Sequence, residues 1–348
     1  MKIIKDLFGQ VDGQNVYAYT LTNDRGMEVT SIDYGCIITR ISTPDREGQI
    51  ENVVLGFDSI EEYVGHSPYF GAVCGRVAGR IKGAQFTLNN QTYTLAQNDG
   101  SNHLHGGIKG YDKVIWKSEP FEEPNKIGVV FTYHSFDGEE GYPGNVSIQV
   151  TYTLTNDNQF AIDYQAIPDQ DTLINLTNHT YFNLSGNVKS TIKEHQLTLK
   201  SKQYLSLADD LMPTGEFVDS EDTVFDFTNG RKILDGIHSN LKQNQLAGNG
   251  YDHPFLLDKN QDEEIRLEDE QSGRVLIIET NEPSVVLYTG NMISEDFSIR
   301  NVPAEKYLGL CLETQGLPDA IHHDHFPSII VKKGTEYKRR TTYTFTTN

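Results

Sequence analysis

The stretch from Val146 to Ile167 reads VSIQVTYTLTNDNQFAIDYQAI. Val146, Ile148, Val150, Tyr152 and Leu154 alternate with Ser147, Gln149, Thr151 and Thr153. Asn156-Asp157-Asn158 then supplies a turn, and Phe160, Ile162 and Tyr164 resume the alternation. Successive side chains of a strand point to opposite faces, so period two on both sides of a turn is a hairpin with one buried face. A second hairpin is expected over Gln85–Leu95, where Asn89-Asn90 accept the positive φ of a tight turn.

The same β-rich, turn-punctuated composition extends through the chain and predicts strands at 16–21, 28–32, 36–41, 196–199, 275–280, 285–288, 328–331 and 340–346. One short helix is expected over 59–64, capped by Ser59 with Glu61 and Glu62 at its positive end. The turn-rich segment 209–226 reads as a long ordered loop. With no Pro-rich linker, low-complexity segment or repeat, residues 1–348 read as a single all-β domain, a large antiparallel β-sandwich with few short helices.

Composition narrows the function. Apolar residues at 37% and charged residues at 22% are globular proportions, and no apolar run approaches a spanning helix. A net charge of −20 repels nucleic acid and anionic membranes, so neither is an expected partner. Cys36, Cys74 and Cys311 are odd in number and far apart, which suits a reducing cytoplasm better than a disulfide framework. The opening residues MKIIKDLFGQ give no secretory signal.

Four segments carry chemistry. In GRVAGRIK (Gly75–Lys82), Arg76 and Arg80 offer planar donor forks suited to paired ligand oxygens or, equally, to a structural ion pair; no phosphate-loop Gly-Lys-Ser/Thr follows. In NDGSNHLHGGIKG (Asn98–Gly110), His103 and His105 share a face if extended. A metal reading there lacks nearby partner ligands, so hydrogen bonding to a ligand oxygen is favoured, with a structural hydrogen bond the competing reading. In TLINLTNHTYFNLSG (Thr172–Gly186), His179 sits among Asn175, Asn178 and Asn183, an expensive composition for a core that suggests a binding surface. In LCLETQGLP (Leu310–Pro318), Glu313 ends an apolar strand, a position suited to a general base.

Together these segments resemble the aldose 1-epimerase (galactose mutarotase) family. The resemblance spans nearly the whole chain, in order, through YFGAVCGRVAGRI (Tyr69–Ile81), LHGG (Leu104–Gly107), NLTNHTYFNL (Asn175–Leu184), YDHPF (Tyr251–Phe255) and ETQGLPDA (Glu313–Ala320). It implies the mutarotase supersandwich fold and interconversion of the α and β anomers of D-galactose or D-glucose. It also implies His179 as general acid, Glu313 as general base and His105 near the ring oxygen. Arg80, Asp252, Asn178 and Asn98 would bind the sugar. No cofactor and no metal are implied, and the partner is a small aldohexose, with the protein a monomer or homodimer. Two departures stand out: Gly79 where many members carry Asn, and His322-His323 where Asn is more common.

Anomer exchange requires the anomeric hydroxyl to lose a proton and the ring oxygen to gain one. A base and an acid on opposite sides of the anomeric centre are expected. An unperturbed histidine, with a pKa of about 6.5, would be the acid and an ionised glutamate the base. Three rivals share these residues: a glycoside hydrolase using Asp252 and Glu313, a non-catalytic sugar-binding module, and an epimerase of hexose 6-phosphates, which would need a basic pocket.

Overall fold

The computed structural model describes residues 1–257 and 264–348. Three antiparallel sheets dominate. The first is a five-stranded meander of Lys2–Val11, Gln14–Thr22, Glu28–Ile32, Ile38–Pro44 and Ile50–Asn52. The second has nine strands, in the order Lys117–Glu123, Lys126–Ser135, Val146–Thr155, Gln159–Pro168, Tyr337–Thr347, Arg274–Thr280, Ile265–Glu268, Gln196–Leu199 and Arg231–Lys232. The third has six: Tyr181–Phe182, Leu310–Gln315, Ser284–Tyr288, Asp252–Leu256, Gln203–Leu207 and Pro213–Asp219. One buried cluster runs from Tyr19 to Phe345 and draws on all three sheets. This is the large antiparallel β-sandwich expected from the sequence.

The 146–167 hairpin forms in register, with Leu154 opposite Phe160 and Ile148 opposite Ala166. Its alternation is realised as Val150, Tyr152, Phe160 and Ile162, all fully buried. The chain's last strand fills the gap between this hairpin and Arg274–Thr280. The second hairpin turns at Asn89 and Asn90, with φ of 51° and 63°. The helix spans Ile60–His66; Ser59 accepts from Glu62 N–H, and the Glu62 carboxylate accepts from Ser59 N–H, a full capping box.

Several expectations shift. The segment 209–226 contains the edge strand Pro213–Asp219, paired to Gln203–Leu207. The strand expected at 36–41 begins at Ile38, because Cys36 turns at φ +48°. The strand expected at 328–331 shrinks to Ile330–Val331. Among the described residues, no helix is long and apolar enough to cross a membrane.

The six-stranded sheet positions the site. Along Leu310–Gln315, Leu310 and Leu312 enter the core while Glu313 and Gln315 face a cavity. Along Ser284–Tyr288, Val285 and Leu287 enter the core while Val286 and Tyr288 face the same cavity. The register lines these up in rows, Cys311–Tyr288–Asp252, then Glu313–Val286–Pro254, then Gln315–Ser284. Period two along each strand and registered pairing across them make one face a floor.

Candidate active site

The cavity over this floor measures about 200 Å³, below the drug-sized range and suited to a single small ligand. Beside the floor it is lined by Tyr69, Gly79, Arg80, His105 and His179, with Leu207, Leu211 and Pro213 at its rim. His179, Glu313, Arg80, Asp252 and His105, scattered over more than 230 positions of sequence, all line it.

His179 and Glu313 are buried side by side, with Nε2 3.4 Å from Oε1. They therefore do not face each other across a sugar-sized gap, as the sequence reading had them. Both meet the same end of the cavity. Burial pushes His179 down to about 4 and Glu313 well above the usual carboxylate range, the latter reinforced by Asp252 and opposed by Arg80. A low-dielectric site disfavours both charged forms, so burial favours the pair's proton on the carboxyl over the imidazole. An imidazole protonated near neutrality, expected from its unperturbed value, does not survive burial.

His105 sits at φ +49° in the tight loop after the short strand His103–Leu104. Its Nδ1 accepts from the Gly79 N–H at 3.2 Å. Burial, then the neighbouring His179 and Arg80, keep it well below its ordinary value. The neutral ring so held carries its proton on Nε2 and is a donor. His103 is different: Nδ1 meets Ala96 O at 2.8 Å and Nε2 meets the Tyr142 hydroxyl at 2.7 Å, a structural role.

Arg80 is held between two carboxylates. Its Nε donates to Asp99 Oδ2 at 2.7 Å, and Nη1 lies 3.8 Å from Asp252 Oδ2. Asp252 is raised by burial and by Asp99 and lowered by Arg80. Arg76 is the structural arginine of the pair, donating to Pro143 O, Gly144 O and Phe136 O in the interior. Three tyrosines complete the walls. The Tyr69 ring stacks on His179 at 5.6 Å and tilts against His105 at 4.8 Å, while Tyr181 and Tyr288 pack nearby.

The protein matches the model of a family described as aldose 1-epimerase over residues 17–344. The chain belongs to the aldose 1-epimerase family. It is 38% identical to the galactose mutarotase of Sus scrofa over 99% of both chains. It is 35% identical to the aldose 1-epimerase of Haemophilus influenzae over 97% of this chain and 98% of that one. Its fold superposes on a crystal structure of galactose 1-epimerase from Lactobacillus acidophilus with a TM-score of 0.90, at 30% identity, covering 100% and 99% of the two chains.

Two residues expected to bind sugar in this aldose 1-epimerase family member lie outside the cavity. Asn178 donates to Gly71 O at 3.0 Å and to the Tyr152 hydroxyl at 3.3 Å, and accepts from Thr180 at 2.6 Å. Asn98 donates to Leu104 O and Gly107 O and accepts from Leu104 N–H, clamping the loop that carries His105. Asn175 similarly binds both backbone groups of Gly316, and Thr177 donates to Thr314 O. The polar residues around His179 are thus staples. The stretch breaks into short strands, Thr177–Asn178 and Tyr181–Phe182, and amides satisfy backbone groups that a continuous ladder would have paired.

Gly79 has φ +74°, and a Cβ there would sit 3.0 Å from the Pro318 ring, so the position favours glycine. His322 pairs with Asp319 at 2.6 Å and His323 with the same carboxylate at 3.7 Å; neither lines the cavity. One donor atom from each of His105, His179 and Glu313 falls within 4.8 Å of the others, a donor set of metal-binding types. Ligating histidines donate their second N–H to an acceptor. His105 does the reverse, because its Nδ1 accepts from Gly79. The arrangement suits hydrogen-bond donation and proton exchange better than metal ligation.

Sequence reasoning missed Asp99, Gln315 and the Leu207–Pro213 rim. Gln315 had a usable signal, since it lies two residues beyond Glu313 on the same strand face. Asp99 had none beyond being a carboxylate near two histidines.

Proposed function

We propose that the protein is an aldose 1-epimerase that interconverts the α and β anomers of D-galactose and D-glucose by acid–base ring opening, bond rotation and reclosure. The observation that carries this is the buried His179–Glu313 pair, 3.4 Å apart at one end of a monosaccharide-scale cavity that also holds Arg80 and Asp252. Family membership, and relatives named galactose mutarotase and aldose 1-epimerase, support the same reading.

The chemistry follows from one proton shared by two groups. The anomeric oxygen and the ring oxygen are bonded to the same carbon, so adjacent catalysts reach both. With the proton on His179, Glu313 takes the hydroxyl proton while the imidazolium protonates the ring oxygen, and the ring opens. The proton now rests on Glu313, the state that burial favours. After rotation about C1–C2, Glu313 returns its proton to the carbonyl oxygen as His179 removes one from the attacking hydroxyl. His105, a neutral donor, steadies the ring oxygen, and Arg80 with Asp252 orients the other hydroxyls. Each positioned proton transfer contributes about 10²–10⁴-fold.

A phosphorylated hexose is disfavoured because Arg80, the lining cation, is already matched by Asp99 and Asp252. The test is to dissolve pure α-D-galactose and, separately, α-D-glucose with the protein and follow optical rotation. Acceleration over the spontaneous rate, with no reducing sugar released from an aryl glycoside, is expected. Sugar binding without acceleration would instead support a binding module.

A further inference from the structure

The strand that delivers Glu313 ends at Gln315, whose side chain has no structural explanation. Gln315 is wholly buried, lines the cavity, and has no hydrogen-bond partner at either Oε1 or Nε2. Its backbone is secured independently: the ladder pairs it with Ser284, whose hydroxyl donates to Gln315 O at 2.6 Å. The amides of Asn98, Asn175 and Asn178 nearby are all engaged. A buried amide with both ends unpaired is costly. The amide lines the cavity, so a polar group that enters there is placed to pair it.

We infer that Gln315 is a sugar-binding, specificity-determining residue, its amide pairing with hydroxyls on the C3–C4 edge of the pyranose. This rests on the proposed epimerase reading, which places the anomeric carbon at Glu313. Residues i and i+2 of a strand share a face and lie about 6.6 Å apart. Gln315 therefore meets the part of the ring remote from C1. An amide offers a donor NH2 and an acceptor oxygen side by side, the complement of two neighbouring hydroxyls. Gly79 lies beside this amide: a Cβ there would stand in van der Waals contact with Gln315 Nε2, at 3.5 Å.

The experiment compares wild type with Gln315→Met, which keeps the volume and removes both polar atoms, on D-galactose and its 2-, 3- and 4-deoxy analogues. Turnover is read by polarimetry and binding by calorimetry. Wild type should prefer galactose over the 3- or 4-deoxy sugar by about tenfold or more, because a site built to bond a hydroxyl rejects the analogue lacking it. Gln315→Met should abolish that preference, leave the 2-deoxy ratio unchanged, raise KM more than it lowers kcat, and melt no lower than wild type without sugar. Equal losses on all four sugars, a lowered Tm, or deoxy ratios unaltered by the substitution would overturn the inference. Binding needs no turnover. If wild type binds sugar without accelerating anomer exchange, the epimerase reading fails while the binding ratios still judge Gln315.

Discussion

Replacing Asp99 with Asn isolates what holds Arg80 in place. The change keeps a hydrogen-bond acceptor of the same shape but removes the charge that Nε contacts at 2.7 Å. Hydrogen bonds to charged groups contribute about 1.5–3 kcal/mol. The Asp99 side chain is 34% exposed, however, and solvent screening discounts the upper part of that range. A loss of about 1–2 kcal/mol in the positioning of Arg80 is the reasonable figure, or roughly 5–30-fold in affinity. Arg80 moves no proton in the proposed cycle, so the cost should fall on KM with kcat nearly unchanged. The assay is initial-rate polarimetry on α-D-galactose across a range of concentrations, with a melting curve to confirm the fold. An unchanged KM would refute the positioning role of Asp99. A collapse of kcat at constant KM would show that Asp99 acts on the chemistry instead.

Other perturbations test the electrostatics. Because burial carries His179 down to about 4, the acid limb of kcat/KM should fall near pH 4; a limb near 6.5 would show an imidazole solvated as in a free peptide. Glu282 is buried and raised to about 7 by desolvation, against the pull of Arg339 and Tyr337. Its folded-state pKa exceeds its unfolded value, so the stability it contributes is complete below the unfolded pKa and lost as pH rises through about 7. Glu282→Gln should therefore gain on wild type by up to about 3 kcal/mol between pH 5 and pH 8 in urea denaturation, and parallel pH profiles would contradict this.

What the sequence disclosed follows what each element buries. Val146–Thr155 and Gln159–Pro168 were legible because one face is core and the other is not, and that difference is the alternation itself. Ser59 and Glu62 announced the helix because capping chemistry is local. Lys2–Val11 and Lys117–Glu123 escaped notice because they are sheet edges whose residues stay exposed or half-buried, leaving no period to read. Pro213–Asp219, also an edge, carries a Pro and a Gly and so imitates a loop. At the site, His179, Glu313, His105, Arg80 and Asp252 converge on one cavity, while Asn98 and Asn178 do not. An amide pairs with a stray carbonyl as readily as with a sugar hydroxyl, and composition does not distinguish the two uses. The protonation of the catalytic pair was illegible for a related reason. It depends on how dry the cavity is, which a reference pKa does not contain.

The most direct measurement is turnover of the His179→Asn and Glu313→Gln variants on α-D-galactose, followed by polarimetry against the uncatalysed rate. If these two side chains relay the proton, each variant should lose at least about 10²-fold in kcat while keeping its melting curve and its affinity for sugar. Either variant retaining wild-type kcat would contradict the account.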